Sequence, residues 1–107
     1  MKNIIIEDNN YLNKFFHKEK KYELFIKNQI SNTETLIKEK PYKIKNVKGC
    51  KYHNKTIWEY KIPLEENLSC RVAYIIESND IIIFFISTTI IKLKFTKLVI
   101  EFLRNRN

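Results

Sequence analysis

The order of periodicities along the chain predicts an α+β protein: an N-terminal strand and a helical hairpin packed on one face of a small, mostly antiparallel sheet, followed by a C-terminal helix. Three observations predict it. Apolar residues recur at helical spacing between Tyr11 and Ile37, and β-branched and aromatic residues then crowd three strand-length runs between Thr56 and Ser87. Beyond Thr89 the spacing turns helical again. Helices segregated from a run of strands mark the α+β class. With 107 residues, 44% of them hydrophobic, the chain supports one domain, residues 1–107, around one core.

Residues 3 to 7 form a short apolar strand, and Asp8, Asn9 and Asn10 supply an N-cap for the helix marked by Tyr11, Leu12, Phe15 and Phe16. A charged break, His17 to Lys21, precedes a second helix whose stripe runs through Tyr22, Phe25, Ile26, Gln29, Ile30, Thr33, Leu36 and Ile37. Ser31-Asn32-Thr33-Glu34 matches a capping box, so this helix is either continuous or broken at Ser31. Lys40-Pro41 ends it, because a residue before proline is pushed out of the helical region.

Tyr42 to Gly49 alternates basic and apolar residues, the pattern of an edge strand with its lysines in water, and a loop from Cys50 to Lys55 follows. The meander comes next: Thr56–Ile62, Leu68–Ile76 and Ile81–Ser87, with turns at Pro63 to Asn67 and Glu77 to Asp80. Ile91, Phe95, Leu98, Val99, Phe102 and Leu103 then share one face of a final helix, against Lys92, Lys94, Lys97, Glu101 and Arg104. In this arrangement the hairpin covers one sheet face, and the other is left for function.

A net charge of +8 favours an anionic partner, although the abundance of Lys, Asn and Ile also suits residue usage drifting with an AT-rich genome. Cys50 and Cys70 lack CxxC spacing, and Cys50 with His53 has no second ligand pair, so neither metal nor cofactor is expected. The start, interrupted by Glu7 and Asp8, does not predict a signal peptide, and the run Ile81 to Ile86 is too short to span a bilayer. A reducing cytoplasm and no membrane partner are the expectation.

No nucleophilic triad or glycine-rich phosphate loop is recognisable. His17 and His53 fall in polar segments, and Glu65-Glu66 lies in a turn. What stands out is a basic set. Lys43, Lys45 and Lys48 alternate along one strand, Lys61 follows in the next, and Arg71 is central in the one after, on a face with Ser69 and Ala73. Arg71 either presents its guanidinium on an open surface or pairs across strands with Glu59 or Glu77. Cations lining one sheet face can grip a phosphate backbone and stabilise the charge of a phosphorane; a solvated lysine-rich edge is the plainer alternative.

The strings Asn46-Val47-Lys48-Gly49, Trp58-Glu59-Tyr60-Lys61-Ile62, Cys70-Arg71-Val72-Ala73-Tyr74 and Ile83-Phe84-Phe85-Ile86-Ser87 resemble the RelE/ParE superfamily of type II toxin-antitoxin toxins. The likeness covers residues 1 to 105, and its most specific part is Arg71 to Tyr74 with the isoleucine-rich strand after it. It implies a RelE-like fold with a concave basic face, a ribosome and mRNA as targets, and a cognate acidic antitoxin. Arg71 matches the family's strand arginine and Lys61 a strand lysine, the two implied catalytic positions. Lys43, Lys45, Lys48, Lys92 and Lys94 are the RNA-binding candidates.

Several positions depart from the pattern. Glu59 stands where one branch has a second lysine, Thr89 and Ile90 where another has histidine and tyrosine, and Ile91 where an arginine is expected. Ribosome-dependent mRNA cleavage is therefore accompanied by two alternatives: gyrase inhibition of the ParE kind, and a catalytically degenerate protein- or RNA-binding module.

Overall fold

The computed structural model describes residues 2–89 and 92–105 and is α+β. Strand β1 (Asn3–Ile6) leads into helices α1 (Asn10–Lys18), α2 (Glu23–Ile30) and α3 (Thr33–Glu39). Strands β2 (Lys45–Tyr52), β3 (Lys55–Glu65), β4 (Leu68–Glu77) and β5 (Asp80–Ser87) follow, then helix α4 (Lys92–Arg104). The sheet is ordered β1-β5-β4-β3-β2. β2 to β5 pair antiparallel in sequence, while β1 lies parallel to β5 at the far edge.

Local chemistry accounts for the boundaries. The Asn9 side chain caps α1 by accepting from the Leu12 amide at 2.9 Å, as the sequence predicts. The predicted second helix is broken, so the hairpin is a run of three short helices. The break does not use the capping box: Ser31 Oγ donates to the Asn28 carbonyl and Thr33 Oγ1 lies 2.6 Å from both the Ile30 carbonyl and the Tyr60 hydroxyl. That buried Thr33–Tyr60 contact ties the helix break to the sheet.

The predicted loop from Cys50 to Lys55 is mostly strand. β2 runs on to Tyr52, and His53 and Asn54, with φ of 51° and 63°, make the two-residue turn that matches strand twist. Gly49 sits within β2, at φ +89°, where the pairing with β3 shifts register. Lys43 lies in a 3-10 turn, Pro41–Lys43, ahead of the strand and not in it.

Helices pack on both faces of the sheet, α4 over part of the second one, which corrects the expectation of an open face. On one face Leu12, Phe16, Ile26 and Ile30 pack against Tyr60, Ile62, Cys70, Val72, Tyr74, Ile81 and Ile83. On the other, Phe95, Val99 and Phe102 of α4 pack against Val47, Ile57, Ala73, Ile75, Phe84 and Phe85. β5 serves both: a register shift opposite Ala73/Tyr74 turns the consecutive Phe84 and Phe85 toward α4. Ile91, assigned to the apolar stripe of α4, lies outside the described residues.

Burial raises the Tyr60 hydroxyl and the Cys70 thiol to about 12, from ordinary values of about 10 and 9, and raises the Tyr74 hydroxyl as well. Between these values the native chain holds protons that the unfolded chain releases, so stability falls as pH rises. We expect urea midpoints constant up to about pH 9 and dropping progressively from there to pH 12; a flat profile across that window contradicts the burial of these groups.

Candidate anion-binding site

Helix α4 covers only part of its sheet face. The apolar rows, Val47, Ile57, Ala73, Ile75 and Phe85, lie beneath it, and the rows beyond carry Lys45, Glu59, Lys61, Arg71 and Ser87. Lys61 and Arg71 are cross-strand partners, Arg71 faces Ser87 in β5, and Lys45 opens β2 opposite Glu59. The result is a pocket of about 330 Å³ at the end of the sheet, lined by Lys43, Lys45, Lys61, Pro63 and Arg71.

The structure thus brings together four of the residues singled out in the sequence, Lys43, Lys45, Lys61 and Arg71. It separates the rest. Lys48 is exposed beside the β2 irregularity, in a different depression with Asn46, Gly49 and Lys51. Lys94 is exposed on the first turn of α4; Lys92 begins that helix, and its side chain lies outside the described residues. His53 sits on the β2–β3 turn with Nδ1 3.8 Å from a Glu77 carboxylate, and His17 lines a cleft beside α1. Among the described residues no group of three or more His, Cys, Asp or Glu could hold a metal.

Arg71 resolves one of its alternatives. Its Nη1 donates to Glu59 Oε1 at 2.5 Å, and the two side chains are 15% and 0% exposed. The guanidinium is therefore not displayed on an open surface: one nitrogen is committed to a carboxylate sealed beneath the sheet face. Glu59 is the residue whose role the sequence pattern understated, and Ala73 opposite it signals why. A small residue across the strand leaves room for the arginine two positions earlier to reach over. Lys43, Lys45 and Lys61 are all exposed, and they supply the charge that Glu59 does not neutralise.

Three ammonium groups and an arginine around a small pocket suit a phosphate or a comparable anion: the lysines act as mobile point charges, and the guanidinium as a fixed donor held in place by its carboxylate partner. Fold and site together define an α+β protein with a cation-lined pocket at the open end of a half-covered sheet. No protein-family model, no curated protein and no solved structure matches the chain. Among the described residues no helix is long and apolar enough to cross a membrane.

Proposed function

We propose that the protein is a toxin of the RelE/ParE kind, acting in the cytoplasm on mRNA in the ribosome, with an acidic antitoxin as its natural restraint. The observation that carries this reading is the convergence of Lys43, Lys45, Lys61 and Arg71 on one pocket, with Lys61 and Arg71 in cross-strand register. The +8 charge supports both an RNA target and an acidic partner. The order of elements, helices before a four-stranded antiparallel run and one helix after it, supports the fold that the resemblance implies, while α4 packed on the second face departs from its open concave face.

In such a site a phosphodiester sits among the ammonium groups. The ribose 2′-oxygen forms a new bond to phosphorus as its proton passes to water, the bond to the 5′-oxygen breaks, and that oxygen takes a proton from a lysine ammonium group, which solvent then restores. The products are a 2′,3′-cyclic phosphate and a free 5′-hydroxyl. Lys45, Lys61 and the outer face of Arg71 stabilise the extra charge on the phosphoryl oxygens. A second reading, a non-catalytic RNA- or protein-binding module, is favoured by the Arg71–Glu59 pair, which ties the best-placed cation to a structural partner.

Lys45 and Lys61 are exposed, so removing them tests the site without unfolding the chain. We expect Lys45→Ala and Lys61→Ala each to relieve growth arrest on induced expression and to lower the log–log salt slope of RNA binding by about 1. Primer extension should show cuts within translated codons for the wild type only. Binding without cuts selects the second reading, and inhibition of gyrase supercoiling with no RNA effect overturns both.

A further inference from the structure

β2 begins at Lys45, opposite Glu59, so β3 from Tyr60 onward runs past the end of its neighbour. The pocket described above opens on the α4 side of this uncovered stretch. A second one, of about 490 Å³, opens on the side of α2 and α3, and Lys43, Lys61 and Pro63 line both. Each lies within the size range of small-ligand sites. Lys43, Lys61 and Pro63 thus form a wall common to the two, at the β3 edge.

The second pocket has a different chemistry. Gln29 and Asn32, both exposed, present carboxamides, and no side-chain hydrogen bond links either to the described residues. Leu36 and Ile62 supply an apolar wall; Lys40, Lys43 and Lys61 outnumber the one carboxylate, Glu39. Carboxamides pair with base edges, offering a donor and an acceptor together, and an apolar wall accepts a base face.

We propose that this helix-side pocket extends the phosphate site into a groove for single-stranded RNA, in which a nucleotide adjoining the phosphate held at Lys45 and Arg71 places its base against Gln29 and Asn32. The inference rests on the reading of the sheet-end pocket as a phosphate site, and it adds the strandedness of the ligand and a base-contacting subsite. An occupant of both pockets turns sharply around one strand edge, which a single strand does and a stiff duplex does not.

The test is fluorescence anisotropy on the full chain with a labelled dinucleotide, a hexanucleotide and a hexanucleotide duplex. Gln29→Ala/Asn32→Ala is the key variant, because the Asn32 side chain makes no capping bond to α3 and its loss leaves the helix intact. The hexanucleotide should bind more tightly than the dinucleotide or the duplex. The double variant should lose roughly five- to tenfold on the hexanucleotide alone, and Lys45→Ala should weaken both single strands. If the double variant binds the hexanucleotide as the wild type does while Lys45→Ala still weakens it, the groove is refuted and the phosphate pocket stands. Indifference to Lys45→Ala removes the pocket and the groove together. Displacement of the hexanucleotide from the wild type, but not from the double variant, by polyglutamate at comparable concentration assigns the groove to an acidic peptide and overturns the proposal.

Discussion

Replacing Arg71 by alanine is expected to lower the unfolding free energy by about 3 kcal/mol, the low end of the cost of stripping a buried ion pair of one member. The carboxylate left behind explains the size of the effect. Glu59 is 0% exposed, its Oε1 accepts from Arg71 Nη1, and its Oε2 has no hydrogen-bond partner among the described residues. An anion sealed beneath the sheet face then has no guanidinium against it. Urea denaturation should show Glu59→Gln/Arg71→Ala recovering more than half of that loss, because the stranded charge is gone. A single Arg71→Ala variant within about 0.5 kcal/mol of wild type, the range of ordinary surface changes, would show that the pair does not hold this end of the sheet together.

Loss of growth arrest in Arg71→Ala reports a weakened fold as readily as a lost phosphate contact. Comparing Glu59→Gln with Glu59→Gln/Arg71→Ala separates the guanidinium's part in the proposed RNA binding from its structural work.

Phe102→Ala is expected to be at least as costly, about 4 kcal/mol, with a fall in Tm of roughly 15 °C or more. Phe102 is fully buried, and its ring meets Tyr11, Tyr52, Phe84 and Phe85 at centroid distances of 4.8, 6.0, 5.5 and 5.5 Å. Those partners come from α1, β2 and β5, so one ring fastens α4 to the β2 edge of the sheet, to β5 and to the first helix. Truncation opens a cavity that a wall of other rings cannot close. Thermal melts followed by near-ultraviolet circular dichroism check this directly, and a Tm change below about 5 °C would mean that α4 is a loosely attached appendage and not half of the core.

Much of the fold was legible in the chain. Asn9 before Tyr11-Leu12, Pro41 after α3 and the β-branched runs of the meander set element type through local stereochemistry, which acts on near neighbours and leaves its mark in short windows. The loop predicted at Cys50 to Lys55 failed because paired positive φ at His53 and Asn54 permits a tight hairpin without the usual Asn-Gly signal. The open sheet face failed for a reason already present in the sequence. Ile81 to Ile86 is apolar at every position, and a strand with one wet face alternates.

The residues of the site divide along the same line. Their chemistry belongs to the sequence by itself: exposed lysines around a single strand arginine, on a chain of +8 charge. Their arrangement is a tertiary matter. That Lys43 and Lys45 meet Lys61 and Arg71 while Lys48 does not, and that Arg71 serves Glu59, depends on cross-strand register and on how far α4 reaches along the sheet. Strand pairing joins residues distant in the chain, and a slip of one position exchanges the two faces, so periodicity names the face but not the neighbour across it.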